Sequence, residues 1–238
     1  MSKVLIVPDV HCRDFYKEPV KKYIDQVDKV VFLGDYLDPY YYEGFTRENG
    51  IKNLGEIIEL KNNNPDKVIL LLGNHDCQYC DDWLNPDDKC DIRPCSRYDS
   101  NPERNKVTRK LYELNKDKFQ LLYKIDDVVF SHAGIRNEWL DEYCHCTFDE
   151  LLKDETKAYG HLWVVGFSRG GDEDFGSCVW NSLNEERNRL PGDLYQVFGH
   201  TQLINEGEPF IDENDNWACL DCRRCFIMDT NNKKLELV

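Results

Sequence analysis

Polar, ligand-capable residues recur in this chain at one kind of place, directly after a short apolar run. The runs lead into Asp9-Val10-His11, into Gly34-Asp35 with Asp38 three residues on, and into Gly73-Asn74-His75-Asp76; two later runs lead into His132 and into Gly199-His200. Asp9 and His11 stand two apart, so an extended backbone projects both from one side. Carboxylate and amide oxygens with imidazole nitrogens, and no cysteine at the same points, match hard to borderline divalent cations. There are more such donors than one ion needs. They fit two ions about 3.5–4 Å apart sharing a carboxylate, an arrangement that activates water for hydrolysis. Any one of these residues alone is more often structural; the ordered set is what carries the reading.

The elements that must position these residues are legible from hydrophobic pattern. Strands are expected at Val4–Val7, Val30–Leu33, Val68–Leu72, Asp127–Phe130 and Gln196–Phe198, because each is an apolar run bounded by turn residues. Helices are expected at Tyr16–Val27, at Ile51–Leu60 with one apolar face, and at Lys106–Leu114. A further helix is expected over Thr147–Tyr159, opened by a capping box of Thr147 and Glu150. Strands alternating with helices predict crossover units and a largely parallel sheet in the first third. Carboxyl ends of such strands are where α/β sheets assemble sites. The last third reads as short antiparallel strands near Phe210, Trp217–Leu220, Phe226–Met228 and Leu235–Val238. Two stretches read as loops: a Cys-rich insertion over about 77–105, and the Gly-rich His161–Ser177. The 238 residues fit a single domain spanning 1–238.

Composition excludes some functions. A net charge of −15 argues against non-specific binding to nucleic acid or to anionic membrane, which depends on Lys and Arg at phosphates. An anionic substrate would need a local positive centre, and a metal is one. The N-terminus lacks a signal-peptide pattern and no stretch is long and apolar enough to span a bilayer, so a cytoplasmic protein is expected. Its 11 cysteines then read first as reduced thiols or metal ligands. Cys77, Cys80, Cys90 and Cys95 have the paired look of a zinc site, although the second pair is widely spaced and Cys77 abuts the Asn-His-Asp cluster. Cys219, Cys222 and Cys225 read as small buried apolar residues.

In order along the chain, Asp-x-His, Gly-Asp-x-x-Asp, Gly-Asn-His-Asp, the post-strand His132 in "SHAGI" and Gly-His-Thr in "VFGHTQ" resemble the calcineurin-like metallophosphoesterases. The likeness is nearest to the branch of phosphoprotein phosphatases, lambda-type phage phosphatases and symmetrical dinucleoside tetraphosphate hydrolases. The resemblance implies an α/β fold, an α/β/β/α sandwich of two mixed β-sheets flanked by helices. It implies two divalent metal ions, manganese first, with iron, zinc, nickel and magnesium as alternatives. Asp9 and His11 would hold the first ion, Asp35 would bridge, and Asn74, His132 and His200 would complete the second. His75 would act as general acid, with Asp38 orienting its ring. The implied reaction is hydrolysis of phosphate monoesters by a metal-bound hydroxide, with a phosphorylated protein, small molecule or nucleotide as substrate.

Two departures from the family pattern matter. Its phosphoprotein phosphatases follow the second acid of Gly-Asp-x-x-Asp with Arg-Gly, whereas this chain continues Pro39-Tyr40. Arg136 and Arg169 are the substitutes expected to bind substrate phosphate. Gln202 stands where the nuclease branch carries the last His of Gly-His-x-His, which weighs against a nuclease. The alternative is hydrolysis of dinucleoside polyphosphates or other nucleotides. A non-catalytic scaffold would have lost ligands that this chain keeps.

Overall fold

The computed structural model describes residues 1–85, 102–185, 190, 194–203, 207–212 and 216–238. Its first third alternates β1 (Lys3–Val7), α1 (Lys17–Tyr23), β2 (Lys29–Phe32), α2 (Arg47–Asn63) and β3 (Val68–Leu71). The three strands pair in parallel, as helical crossovers require. Beyond the lysines that open β1 and β2 they are apolar, because both faces are covered. Leu5, Val7, Val30, Phe32, Val68 and Leu70 share a core with Leu54, Ile57 and Ile58 of α2. Their neighbours Val4, Ile6, Val31, Leu33, Ile69 and Leu71 belong to a second core, shared with Val128, Phe130 and Val197. The period of two thus divides each strand between two layers, and each buried side chain of this size contributes about 1.5–3 kcal/mol.

The chain goes on through α3 (Asn74–Leu84), α4 (Pro102–Leu114), β4 (Phe119–Gln120), β5 (Leu122–Ile125) and β6 (Val128–Ser131). Then come α5 (Asn137–Trp139), which runs into a π turn, α6 (Phe148–Lys153) and β7 (Tyr195–Phe198). The last strands are β8 (Phe210–Asp212), β9 (Trp217–Cys219), β10 (Phe226–Asp229) and β11 (Lys234–Leu237). One sheet has the order β11-β10-β1-β2-β3-β4 and the other β5-β6-β7-β9-β8. Each mixes parallel and antiparallel pairs. The sheets face each other across the second core, and helices cover the outer faces, with Trp139, Phe148 and Leu151 in the same cluster as Val129 of β6. The expected fold class is the observed one.

Three expectations are corrected. The helix over Thr147–Tyr159 starts at its capping box but ends at Lys153, and Glu155–Ala158 is a separate 3-10 turn. Asp154 leaves helical geometry and caps the new turn through Thr156 N–H. Glu155 is thereby turned inward, where it accepts hydrogen bonds from Leu121 N (2.8 Å) and Leu122 N (3.1 Å). Those amides lie at the point where the chain passes from one sheet to the other, between β4 and β5. These two strands were not expected from sequence, because one short run, Phe119–Ile125, serves both sheets. The Cys-rich insertion does not begin as a loop: Cys77 to Leu84 belong to α3, whose buried face includes Cys77, Cys80 and Leu84 at helical spacing. Cys90 and Cys95 lie outside the described residues. Burial holds the Cys77 and Cys80 thiols well above their ordinary pKa, which favours packing over metal binding.

Candidate functional site

The carboxyl ends of β1, β2, β3, β6 and β7 meet at one end of the sandwich. Backbone strain is concentrated there: His11, Asp35, Asp38 and His200 all have φ between 43° and 64°. The left-handed region is costly for such residues, about 1–3 kcal/mol each, and persists only where surroundings enforce it. Close approach of the loops is part of that enforcement. A Cβ on Gly73 would stand 2.1 Å from Asp35 Oδ1, so only glycine lets the β2 and β3 loops meet.

The donors form two groups with one common member. The ligand-capable atoms of His11, Asp35 and His75 lie within 4.8 Å of one another, as do those of Asp35, His132 and His200. Asn74 Oδ1 joins the second group, 3.0 Å from both His132 Nε2 and His200 Nδ1. Asp35 Oδ2 is 3.4 Å from His11 Nε2, and Asp35 Oδ1 is 3.6 Å from His132 Nε2. Ring tautomers follow from the far sides. His11 Nδ1 donates to Leu37 O (2.9 Å) and His132 Nδ1 to Leu33 O (2.8 Å), so each turns an Nε2 lone pair towards Asp35.

Asp9 belongs to neither group. Both its oxygens accept from the His200 backbone N–H, at 3.0 Å each. His75 Nδ1 is 3.3 Å from Asp38 Oδ2. Asp38 is itself held by Gln78 Nε2 (2.5 Å) and Tyr79 OH (2.7 Å). Arg169 lines the cleft, an opening of about 380 Å³ also bordered by Tyr40 and Trp180. Arg136 does not line it. Its guanidinium is engaged by Glu138 (3.0 Å) and the Glu185 carbonyl and lies 5.0 Å over the Phe175 ring. The structure thus gives Arg136 internal partners rather than a place on the cleft.

The electrostatics fit a cation-binding site. Burial, with Asp76 adding to it, lifts the Asp35 carboxyl to about 8 even though His75 opposes the shift. Burial and then Asp221 and Asp35 raise Asp9 well above the carboxylate range. Burial drives His11 and His200 well below the usual imidazole range and His132 down to about 3. Acids that lack compensation beside neutral imidazoles are what a divalent cation would satisfy. His200 Nε2 is also buried without a partner among the described residues. His75 is the exception. Burial lowers its pKa, but Asp35, Asp38 and Asp76 together outweigh that and raise it to about 9.

Sequence reasoning left one supporting residue undecided and passed over others. Fully buried Asp76 accepts from Asp35 N (2.7 Å), Tyr36 N (3.1 Å), Gly73 N (2.8 Å) and Tyr112 OH (2.5 Å), tying the β2 loop to the start of α3. Its signal was an acid three residues after a helix-opening glycine. Gln78 and Tyr79 carried a weaker signal, three and four residues after His75 on the same helix. Nothing in the sequence pointed to Trp180.

The comparisons follow the geometry. A model of the calcineurin-like phosphoesterases matches residues 2–203. No curated protein is similar enough in sequence to match. Among solved structures, a cold-active protein-tyrosine phosphatase of a psychrophilic Shewanella sp. is 18% identical, with TM-score 0.57 over 100% of this chain and 80% of that one. A protein serine/threonine phosphatase from Saccharomyces cerevisiae, described as similar to human phosphatase PP5, is 14% identical, with TM-score 0.53 over 92% of this chain and 66% of that one. At such identities the likeness is one of fold. The matched segment holds every converging donor from His11 to His200, and the chain belongs to the calcineurin-like phosphoesterase family, phosphoric ester hydrolases that use divalent metals.

Proposed function

We propose that the protein is a phosphomonoesterase working with two divalent cations, manganese first among the candidates. The observation that carries this reading is the position of Asp35, whose two oxygens face different imidazoles and which alone is common to both donor groups. Asp9, His11 and Asp35 would hold one ion; Asp35, Asn74, His132 and His200 would hold the other. Bound there, the cations would supply Lewis acidity and lower the pKa of water towards neutrality. The remaining roles belong to side chains of this chain. Arg169 fits the role of a phosphate ligand: its NH2 is held by Thr201 Oγ1 while its Nε–H is buried without a partner among the described residues. His75 fits the role of general acid: it lines the cleft, and Asp38 Oδ2, 3.3 Å from its Nδ1, orients the ring.

The acidic composition supports a small phosphorylated substrate over a nucleic acid. No helix among the described residues is long and apolar enough to cross a membrane. The nine described cysteines are all free thiols, which supports a reducing, cytoplasmic setting. The test is a panel of monoesters, diesters and a dinucleoside tetraphosphate, assayed on metal-stripped protein resupplied with manganese, nickel, zinc, iron or magnesium. Turnover of monoesters ahead of diesters is expected. Splitting of the dinucleotide alone would replace this reading with the nucleotide hydrolase, and no turnover with any metal would end it.

A further inference from the structure

Tyr40 is held at the cleft by more contacts than packing alone requires. Its ring lies 5.5 Å from that of His11 and 5.6 Å from that of Tyr42, nearly parallel to the latter at 13°. The Arg13 guanidinium lies 5.6 Å over the Tyr40 ring. Arg13 is fixed in turn by a two-pronged bond to Glu43, from Nε at 2.9 Å and NH2 at 3.0 Å. Glu43 also accepts from the Tyr40 backbone N–H at 3.1 Å. Arg223 closes the clasp, 3.6 Å from Glu43 and donating to Tyr42 OH at 3.3 Å. Loops after β1, β2 and β9 thus converge to hold one aromatic ring beside the donors. At the other end of the histidine row, Trp180 borders the cleft 5.8 Å from His200, and its indole N–H is buried without a partner among the described residues.

An aromatic ring held in place before binding loses little entropy when a ligand packs on it. Rings prefer other rings at such contacts, by offset stacking or edge-to-face packing. Resting on the phosphomonoesterase reading, we infer that this cleft selects phosphomonoesters whose ester group carries a planar aromatic ring, and that Tyr40 is the residue that receives the ring. Arg13, Glu43 and Arg223 are positioning residues that act through Tyr40. Trp180 gives the cleft a second aromatic border at its opposite end.

The test compares benzyl phosphate with cyclohexylmethyl phosphate. Both release primary alcohols of similar leaving-group ability, and the phosphonates, which have no leaving group, isolate the effect of the planar ring. Binding of benzylphosphonate and cyclohexylmethylphosphonate to the manganese-loaded protein is measured in parallel by calorimetry. The aromatic member is expected to be favoured about three- to tenfold in Kd and kcat/KM, the value of one aromatic pair. Tyr40→Ala should bring both ratios to near one, and Tyr40→Phe should keep them. Equal binding of the two phosphonates by the parent protein would overturn the inference, as would a preference unchanged in folded Tyr40→Ala. A binding preference that obeys these rules while neither ester turns over would sustain the aromatic site and remove the phosphomonoesterase reading instead.

Discussion

The two halves of the cleft are built from similar residues but held in different ways. In the half formed by Asn74, His132 and His200, the imidazoles are neutral: His132 donates to Leu33 O, and His132 and His200 each face Asn74 Oδ1 at 3.0 Å. In the half formed by His11, Asp38 and His75, His11 likewise donates to a backbone carbonyl, Leu37 O, but His75 leans on a carboxylate that Gln78 and Tyr79 already restrain. The first arrangement presents neutral imidazoles beside Asp35. In the second, the acids around His75 raise its pKa to about 9. Similar donor types thus differ in task according to whether an acid stands behind the ring.

Asp35 joins the halves, so its loss should have the largest effect. Asp35→Asn removes the charge both halves share, and activity is expected to fall more than about a thousandfold, with metal content falling at both sites. Metal analysis with circular dichroism checks this; a folded variant with two equivalents of metal and parent activity would dissolve the link between the halves. His75→Ala comes next and should affect chemistry without affecting metal content. Turnover of alkyl phosphates should drop by about two to four orders of magnitude, and of nitrophenyl phosphate by less, because a good leaving group needs less protonation. Equal losses on both substrates would make the two halves alike after all.

Asp76→Asn probes the framework beneath the proton-holding half. Removing one acceptor oxygen leaves buried N–H groups of Gly73 or Asp35 unpaired, and about 3 kcal/mol of stability should be lost, because each such group costs about 1–3 kcal/mol. Urea denaturation of the metal-free protein measures it, and a change under 1 kcal/mol would show that the bracket is not structural. The smallest contrast is between the two arginines. Arg169→Ala should reduce kcat/KM by about ten- to a hundredfold, the worth of a charge-assisted bond to phosphate. Arg136→Ala should leave KM unchanged and lower thermal stability, since its partners are internal. The reverse outcome would exchange their assignments.

Much of this was legible before the fold. The apolar runs located β1, β2, β3, β6 and β7 because strands buried on both faces carry an unbroken hydrophobic signal. The residues after those runs are the ones that converge, since the strand order places their carboxyl ends side by side. The Phe119–Ile125 strands were missed because neither half of that run is long enough to declare itself. The break after Lys153 was missed because a capping box marks where a helix begins and not where it ends. Arg136 and Arg169 looked equivalent, both following a site-like loop. Only the positions of Glu138 and Glu185 relative to one, and of Thr201 relative to the other, separated them.

The sequence by itself determined the donor types, their order and the strands that carry them, because composition and period are local properties that residue identity encodes directly. The tertiary structure alone decided that Asp35 is common to both donor groups, that Asp9 holds the His200 backbone, that Asp76 locks two loops together and that Tyr40 is clasped at the cleft. Each of these depends on contacts between segments tens of residues or more apart. Such contacts are set by which faces of two sheets pack together, and no window along the chain contains that information.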